Sequence, residues 1–177
     1  SLPQAVENLT LSGEQALDGI GNTAPNRITG NGADNALSGL DNNDTLIGNA
    51  GDDVLTGGGG DDDLDGGSGV DQAVYAGNRA DYRVSYESTR KVWLVQDDNP
   101  LDGLDEGTDL LTNIETLSFA DGTLDLNALG LPVVQVGSGT ISEGNDGTQT
   151  LMLEVVLSAK AKVAVSVDYS TRDGTAT

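Results

Sequence analysis

The chain has 177 residues, and 29 Asp and Glu against 8 Lys and Arg give it a formal net charge of −21. Such an acidic chain is a poor partner for nucleic acid, and no apolar run is long enough to cross a bilayer. The absence of His and Cys removes disulfides, thiol chemistry and the usual zinc ligands. The carboxylate, hydroxyl and amide groups that remain suit a hard cation such as calcium.

Residues 1–20 are predicted to form a short β segment that caps the region after it. Leu9 and Leu11 alternate with polar residues, and residues 17–19 predict a turn. Stacked strands need such a cap because an open end exposes apolar side chains and unpaired strand edges. Residues 1–10 lack the basic start and apolar core of a cleavable signal peptide.

Residues 21–76 contain a nine-residue repeat. Six consecutive units open on glycine, at Gly21, Gly30, Gly39, Gly48, Gly57 and Gly66. Their sixth positions carry an amide or a carboxylate, at Asn26, Asn35, Asp44, Asp53, Asp62 and Asp71. Their eighth positions are apolar, at Ile28, Leu37, Leu46, Leu55, Leu64 and Ala73. The period predicts a coil in which glycine bends the chain and the eighth side chain of each half-turn points inward, so that alternate repeats stack in two parallel sheets.

The repeats are strongly acidic and their predicted core is thin, so a cation is expected to stabilise them. No basic residue lies between Arg27 and Arg79, and the crowded aspartates repel one another. Calcium takes six to eight oxygen ligands, which glycine-rich turns and their aspartates can supply. A disordered acidic linker is the alternative that composition permits, but it offers no reason for leucine to stay in register.

The period also predicts which carboxylates face each other. We expect Asp44 to lie opposite Asp62 on one edge and Asp53 opposite Asp71 on the other. Pairs that contain an amide are expected to bind calcium more weakly because one charge is missing. Occupancy should therefore be graded along the coil.

Residues 57–65 and 66–74 resemble the RTX nonapeptide GGxGxDxUx, a known calcium-binding repeat. The resemblance implies a right-handed parallel β-roll in which side-chain oxygens and turn carbonyls hold calcium. It also implies export through a type I system as an unfolded chain that folds in extracellular calcium. The ligand positions that it implies are Asn26, Asn35, Asp44, Asp53, Asp62 and Asp71, with the glycines Gly48, Gly57, Gly59 and Gly66.

Residues 77–130 are predicted to be β-rich. Tyr82, Val84 and Tyr86 alternate on one strand, Trp93 marks a second, and residues 88–90 form the hairpin loop between them. The acidic segment at residues 97–109 is either a solvated loop or a further calcium site, and its spacing, unlike that of an EF-hand, favours the solvated loop. This part is similar to the β-rich segment that often follows RTX repeats, which implies a capping role.

Residues 131–177 predict three strands, at 133–136, 149–157 and 163–169. The sequences around Glu143 and Asp173 resemble a Calx-β domain, an Ig-like sandwich that often binds calcium, and the two residues match its ligand positions. About 45 residues are too few to close such a sandwich. We therefore expect an incomplete sandwich, completed by another chain or truncated.

The expected fold class is all-β, with a parallel β-roll between flanking β caps followed by a partial Ig-like sandwich. No serine elbow, phosphate loop or nucleotide fingerprint is present, which favours a non-catalytic module. One interpretation is a calcium-folded module of a secreted or cell-surface bacterial adhesin, with calcium ions and other copies or matrix proteins as partners. The alternative is the export and folding module of a secreted enzyme.

Overall fold

The structure is a computed structural model that describes residues 1–99 and 105–129, together with the backbone of Val134–Val136 and Val155–Leu157. The chain divides into two compact units, Ser1–Ala128 and Leu129–Thr177. In the described part of the chain, no helix has the length and apolar character needed to cross a membrane.

The first unit is built almost entirely from short strands. They are β1 (Asn8–Thr10), β2 (Asp18–Ile20), β3 (Arg27–Thr29), β4 (Ala36–Asp41), β5 (Thr45–Ala50), β6 (Val54–Gly59), β7 (Asp63–Ser68), β8 (Gln72–Val74), β9 (Tyr82–Glu87), β10 (Val92–Asp97), β11 (Thr108–Thr112), β12 (Thr116–Phe119) and β13 (Gly122–Asp125). Two single 3-10 turns lie at Arg79–Asp81 and Asn127–Leu129. The all-β class predicted from the sequence is confirmed.

Strands β1–β8 alternate between two sheets, which makes this part of the first unit a β-solenoid. One sheet has the order β1-β3-β5-β7-β11-β10-β9, and the other has the order β13-β12-β8-β6-β4-β2. The pairs from β1 to β11 and from β2 to β12 are parallel. The predicted coil with two parallel sheets is therefore confirmed.

The core consists of two columns of side chains from the eighth repeat positions. Strand pairing places Ile28 beside Leu46 and Leu46 beside Leu64 in one sheet. In the other sheet Leu37 pairs with Leu55, and Leu55 pairs with Ala73. All six residues are at most 1% exposed. One inward side chain per half-turn explains why the repeat needs a large apolar residue only once in nine positions.

Positive φ angles explain the second and fourth positions of the repeat. Gly58 and Gly67 at second positions have φ of 105° and 98°, and Gly60 at a fourth position has φ of 121°. Leu40 and Asn49 occupy second positions without glycine and still adopt φ of 88° and 80°. Such angles are unfavourable for a branched residue such as Leu. The units that have Leu40 or Asn49 at the second position therefore form this turn with a backbone conformation that is less favourable than it is for glycine.

The N-terminal 20 residues continue the coil. The turn predicted at residues 17–19 is wrong, because Asp18 and Gly19 lie in β2, which pairs in parallel with β4. Gly19 is the register partner of Leu37, and Leu9 is the partner of Ile28. Leu9 and Gly19 therefore occupy core positions of the coil. Residues 1–20 lack the first-position glycines and sixth-position aspartates of the later repeats, so the nine-residue period cannot be recognised there.

The C-terminal end of the coil is closed by antiparallel strands. The predicted hairpin is confirmed, since β9 pairs with β10 and the loop contains residues 88–90. Tyr75, Tyr82 and Phe119 pack together with ring centroids 5.1–5.6 Å apart. The guanidinium of Arg79 lies 5.5 Å from the centroid of the Phe119 ring. Burial of these rings covers the last turn of the thin core.

The second unit is described only as two strands, β14 (Val134–Val136) and β15 (Val155–Leu157), which pair in antiparallel fashion. Both fall within predicted strands. The third predicted strand, at residues 163–169, and the predicted ligands Glu143 and Asp173 lie outside the described residues.

Candidate metal centre

The sixth-position side chains form two ladders along the edges of the coil. In each ladder, one side-chain oxygen accepts a hydrogen bond from the backbone N–H of the residue 18 positions earlier. The bonds run from Asn26 N to Asp44 Oδ1 (2.6 Å), from Asn35 N to Asp53 Oδ1 (2.7 Å), from Asp44 N to Asp62 Oδ1 (2.7 Å) and from Asp53 N to Asp71 Oδ1 (2.8 Å). The pairs expected from the period are therefore neighbours in the fold.

The second carboxylate oxygen of each ladder aspartate is buried without a partner. Within the described residues, Oδ2 of Asp44, Asp53, Asp62 and Asp71 accepts no hydrogen bond, and these residues are at most 3% exposed. Burial of an unpaired charged oxygen is costly. Burial accordingly raises the pKa of Asp44 to about 6 and that of Asp62 to about 7. A bound cation would remove this cost.

The first glycine of each unit lies against these oxygens. A Cβ added to Gly48 would overlap Asp53 Oδ2 and would lie 2.5 Å from the carbonyl oxygen of Gly66. A Cβ at Gly39 would overlap Asp44 Oδ2 and would lie 2.7 Å from the carbonyl oxygen of Gly57. A carboxylate oxygen and a carbonyl oxygen thus converge on the same glycine. This donor set fits calcium, which accepts both kinds of ligand.

Gly59 has different surroundings from the other predicted glycines. A Cβ added to Gly59 would lie 3.2 Å from the carbonyl oxygen of Asp105 and 3.7 Å from Asp41 Oδ1. Gly59 ends β6 and pairs with Asp41 of β4. Among the predicted glycines, Gly48, Gly57 and Gly66 contact ladder carboxylates, whereas Gly59 does not lie within 4 Å of one by this measure.

Amide groups satisfy each other at the N-terminal end of both ladders. Asn35 Oδ1 accepts a hydrogen bond from Asn31 N at 2.9 Å, and Asn35 Nδ2 donates to Leu17 O and to Asn31 Oδ1, both at 3.1 Å. Asn26 pairs with Asn22 in the same manner. Sequence reasoning missed Asn22 and Asn31, although each replaces the second glycine of its unit. The backbone N–H groups of Asn22 and Asn31 bond to the side-chain oxygens of Asn26 and Asn35, which in an aspartate would be free to contact a cation.

The ladders continue into the segment after the repeats. The N–H of Asp62 donates to Asp109 Oδ1 at 2.9 Å, and the N–H of Asp71 donates to Glu115 Oε2 at 2.8 Å. Strand β11 pairs in parallel with β7, and β12 pairs in parallel with β8. Sequence reasoning missed both carboxylates. The available signal was their spacing, since each lies two positions before a buried apolar residue, as the ladder aspartates do.

The prediction of a solvated acidic loop is wrong for Glu106 and Asp109. They are 7% and 1% exposed. Asp109 is buried because it lies in β11, which is inside the sheet between β7 and β10. Burial and the nearby Asp62 charge raise the pKa of Asp109 to about 8. The Tyr75 hydroxyl faces this carboxyl but forms no hydrogen bond of ordinary geometry in the described structure. Glu106 accepts a hydrogen bond from the Tyr82 hydroxyl.

No group of three acidic side chains close enough to share one ion occurs within residues 1–99 and 105–129. An ion at the ladders would therefore take most of its ligands from backbone carbonyls. Such ligands are neutral, so the few aspartates supply the charge.

A parallel β-solenoid whose edges are lined by carboxylate and carbonyl oxygens is typical of repeat modules that bind a stabilising cation. Residues 20–46 and 38–73 match the sequence profile of the RTX calcium-binding nonapeptide repeat, described as four copies. The described roll thus contains RTX repeats, and these repeats are calcium-binding.

The extracellular lipase LipA from Serratia marcescens is similar over 55% of this chain, with 24% sequence identity and a TM-score of 0.47. The match covers 15% of the lipase chain, so this chain spans a small part of that protein's length. No curated protein matches this chain.

Proposed function

We propose that residues 1–128 form a calcium-folded structural module of a secreted protein, with Asp44, Asp53, Asp62 and Asp71 as the charged ligands. The observation that carries this proposal is the set of buried Oδ2 atoms that lack a partner within the described residues. Calcium would supply the positive charge that each of these oxygens lacks. The carbonyls of Gly57 and Gly66 would complete part of the ligand set.

Calcium also offsets repulsion along the ladders. Burial raises the pKa of Asp62 and of Asp71, and the charge of the preceding ladder carboxylate, Asp44 or Asp53, raises each pKa further. No Lys or Arg lies between Arg27 and the end of the repeats. Without the cation, the folded state must therefore bury several like charges with no local compensation. The ion becomes part of the folded state, and its concentration sets stability.

The proposed role is structural and not catalytic. Each ladder carboxylate already has a defined contact, with Oδ1 on a backbone N–H and Oδ2 beside the first glycine of its own repeat. We propose that Asn26 and Asn35 bind calcium weakly or not at all, because neighbouring amides already satisfy their side chains.

For the parent protein we propose an adhesin-like or surface-assembly role. The support is the sequence resemblance of residues 131–177 to a Calx-β domain, in which Glu143 and Asp173 would be ligands. Low cytosolic calcium would keep the chain unfolded for type I export, and calcium outside the cell would fold it. Surface labelling of cells that express the full-length parent tests the location, and a catalytic domain in that parent would favour a secreted enzyme instead.

Native mass spectrometry of the chain with and without calcium tests the proposed function. We expect more than one bound ion in the wild type and a smaller number in Asp44→Asn. Asp63→Asn is the matched control, because it makes the same change of charge at an exposed position of β7. A wild type that binds no calcium, or equal ion counts in the two variants, would contradict the proposal.

A further inference from the structure

The segment at residues 105–119 has the geometry of one more turn of the roll, although it lies outside the nine-residue period. Leu111 stands beside Leu64, and Leu117 stands beside Ala73, so both extend the core columns. Both leucines are fully buried. Between the repeats and this segment the chain makes the hairpin of β9 and β10. The turn is therefore contiguous in space and interrupted in sequence.

The carboxylates of this turn occupy the ladder positions. Asp109 bonds to the backbone of Asp62 across 47 residues, and Glu115 bonds to the backbone of Asp71 across 44 residues. Within the repeats the same bond spans 18 residues. Each edge of the roll thus ends on an acidic side chain supplied by the segment after the hairpin.

A backbone carbonyl of this turn also reaches the ladder. A Cβ added to Gly66 would lie 2.5 Å from Asp71 Oδ2 and would overlap the carbonyl oxygen of Asn113. In the repeats, the corresponding carbonyl comes from the glycine 18 positions later, as Gly66 O does at Gly48. Asn113 adopts φ of 53°, a left-handed conformation that asparagine tolerates.

The last aspartate of each ladder has an unpartnered, buried oxygen. Asp62 and Asp71 are 2% and 1% exposed, and within the described residues their Oδ2 atoms have no hydrogen-bond partner. Asp62 lies beside Asp109, and Asp71 lies beside Glu115, so each site would place two carboxylates around one ion. Two negative charges match one divalent cation.

We propose that Asp109 and Glu115 complete two calcium sites with Asp62 and Asp71, at the junction between the repeats and the capping segment. This inference rests on the proposed function, since it assumes that the ladders bind calcium. The junction sites link parts of the chain that are more than 40 residues apart, whereas each site within the repeats links neighbouring turns. Calcium would then attach the cap to the roll.

Ion counts and calcium titrations of the full chain test the inference. We expect Asp109→Asn and Glu115→Gln each to lose one bound ion by native mass spectrometry, and to raise the calcium concentration at the folding midpoint at least about tenfold. The matched controls are Asp63→Asn and Glu7→Gln, which remove one charge at exposed positions. Variants that match their controls in both ion count and midpoint would overturn the inference.

The wild-type chain crystallised with calcium gives a test that needs no variant. Anomalous difference density between Asp71, Glu115 and the Asn113 carbonyl is the expected result. Density beside Asp44 and Gly57 with none at the junction would overturn the inference and leave the proposed function standing. An absence of density at every ladder position would contradict both. This measurement also decides the question if the variants remain unfolded at all calcium concentrations.

Discussion

Replacement of Gly48 by alanine should destabilise the roll because the added methyl group has no space. Its Cβ would overlap Asp53 Oδ2, approach Asp53 Cγ to 2.8 Å and approach the Gly66 carbonyl oxygen to 2.5 Å. Backbone must then move, since the carbonyl cannot rotate away as a flexible side chain could. Overpacking of this kind costs about 1–3 kcal/mol. Where the site binds calcium, the methyl group also separates the two oxygens that would hold the ion.

Gly32→Ala is the matched control. Its Cβ would meet no described atom within 4 Å, and neither Gly32 nor Gly48 has a left-handed φ. We expect Gly32→Ala to be neutral or to stabilise the chain by about 0.4–1 kcal/mol through the unfolded state.

Thermal unfolding followed by circular dichroism, at saturating calcium and at the lowest calcium concentration that still folds both variants, measures the effect. A purely steric effect of Gly48→Ala lowers stability equally at the two concentrations, whereas loss of an ion site adds a further decrease at saturating calcium. We expect the larger decrease at saturating calcium. Equal stabilities for Gly48→Ala and Gly32→Ala would refute the reasoning from convergent oxygens.

Three further predictions concern charge in the ladders. Burial raises the pKa of Asp62 to about 7 and of Asp109 to about 8, so without calcium these groups stabilise the fold below the ordinary Asp pKa, and that stability is lost as pH rises through the raised values. In chelator, the chain should therefore show more β signal by circular dichroism at about pH 5 than at about pH 8, and the opposite order would contradict the assignment. Asp53→Ala should reduce calcium-dependent stability by about 2 kcal/mol or more, against less than about 1 kcal/mol for the exposed Asp121→Ala, and equal losses in chemical denaturation would refute the ladder pairing. Asn35→Asp should lower stability at limiting calcium, because two amide hydrogen bonds disappear, and should add one bound ion at saturating calcium. An unchanged ion count by native mass spectrometry would show that the amide is not what prevents ion binding at that position.

The repeated part of the fold could be predicted because its constraint is local and periodic. One buried side chain per half-turn at Leu46, Leu55 and Leu64, and one carboxylate two residues earlier, leave a pattern that strand pairing then places in columns. The 18-residue hydrogen bonds of the ladders follow from the same period.

The ends of the roll could not be predicted in this way because the period is broken there. Gly19 occupies a core position with no side chain, so the column could not be recognised from hydrophobicity. Asp109 and Glu115 are separated from their ladder partners by an inserted hairpin, and they lie six positions apart instead of nine. Their role depends on the pairing of β11 with β7 and of β12 with β8, which is long-range information.

The central claim is that calcium is part of the folded state. Far-UV circular dichroism during a calcium titration of the chelator-treated chain tests it most directly, with magnesium as the control ion and chelator added at the end. We predict a cooperative gain of β signal in calcium that magnesium does not produce and that chelator reverses, because magnesium demands tight octahedral geometry and sheds its waters reluctantly. A spectrum that is already β-rich in chelator and does not change with calcium, from a chain that elemental analysis shows to be free of metal, would contradict the claim.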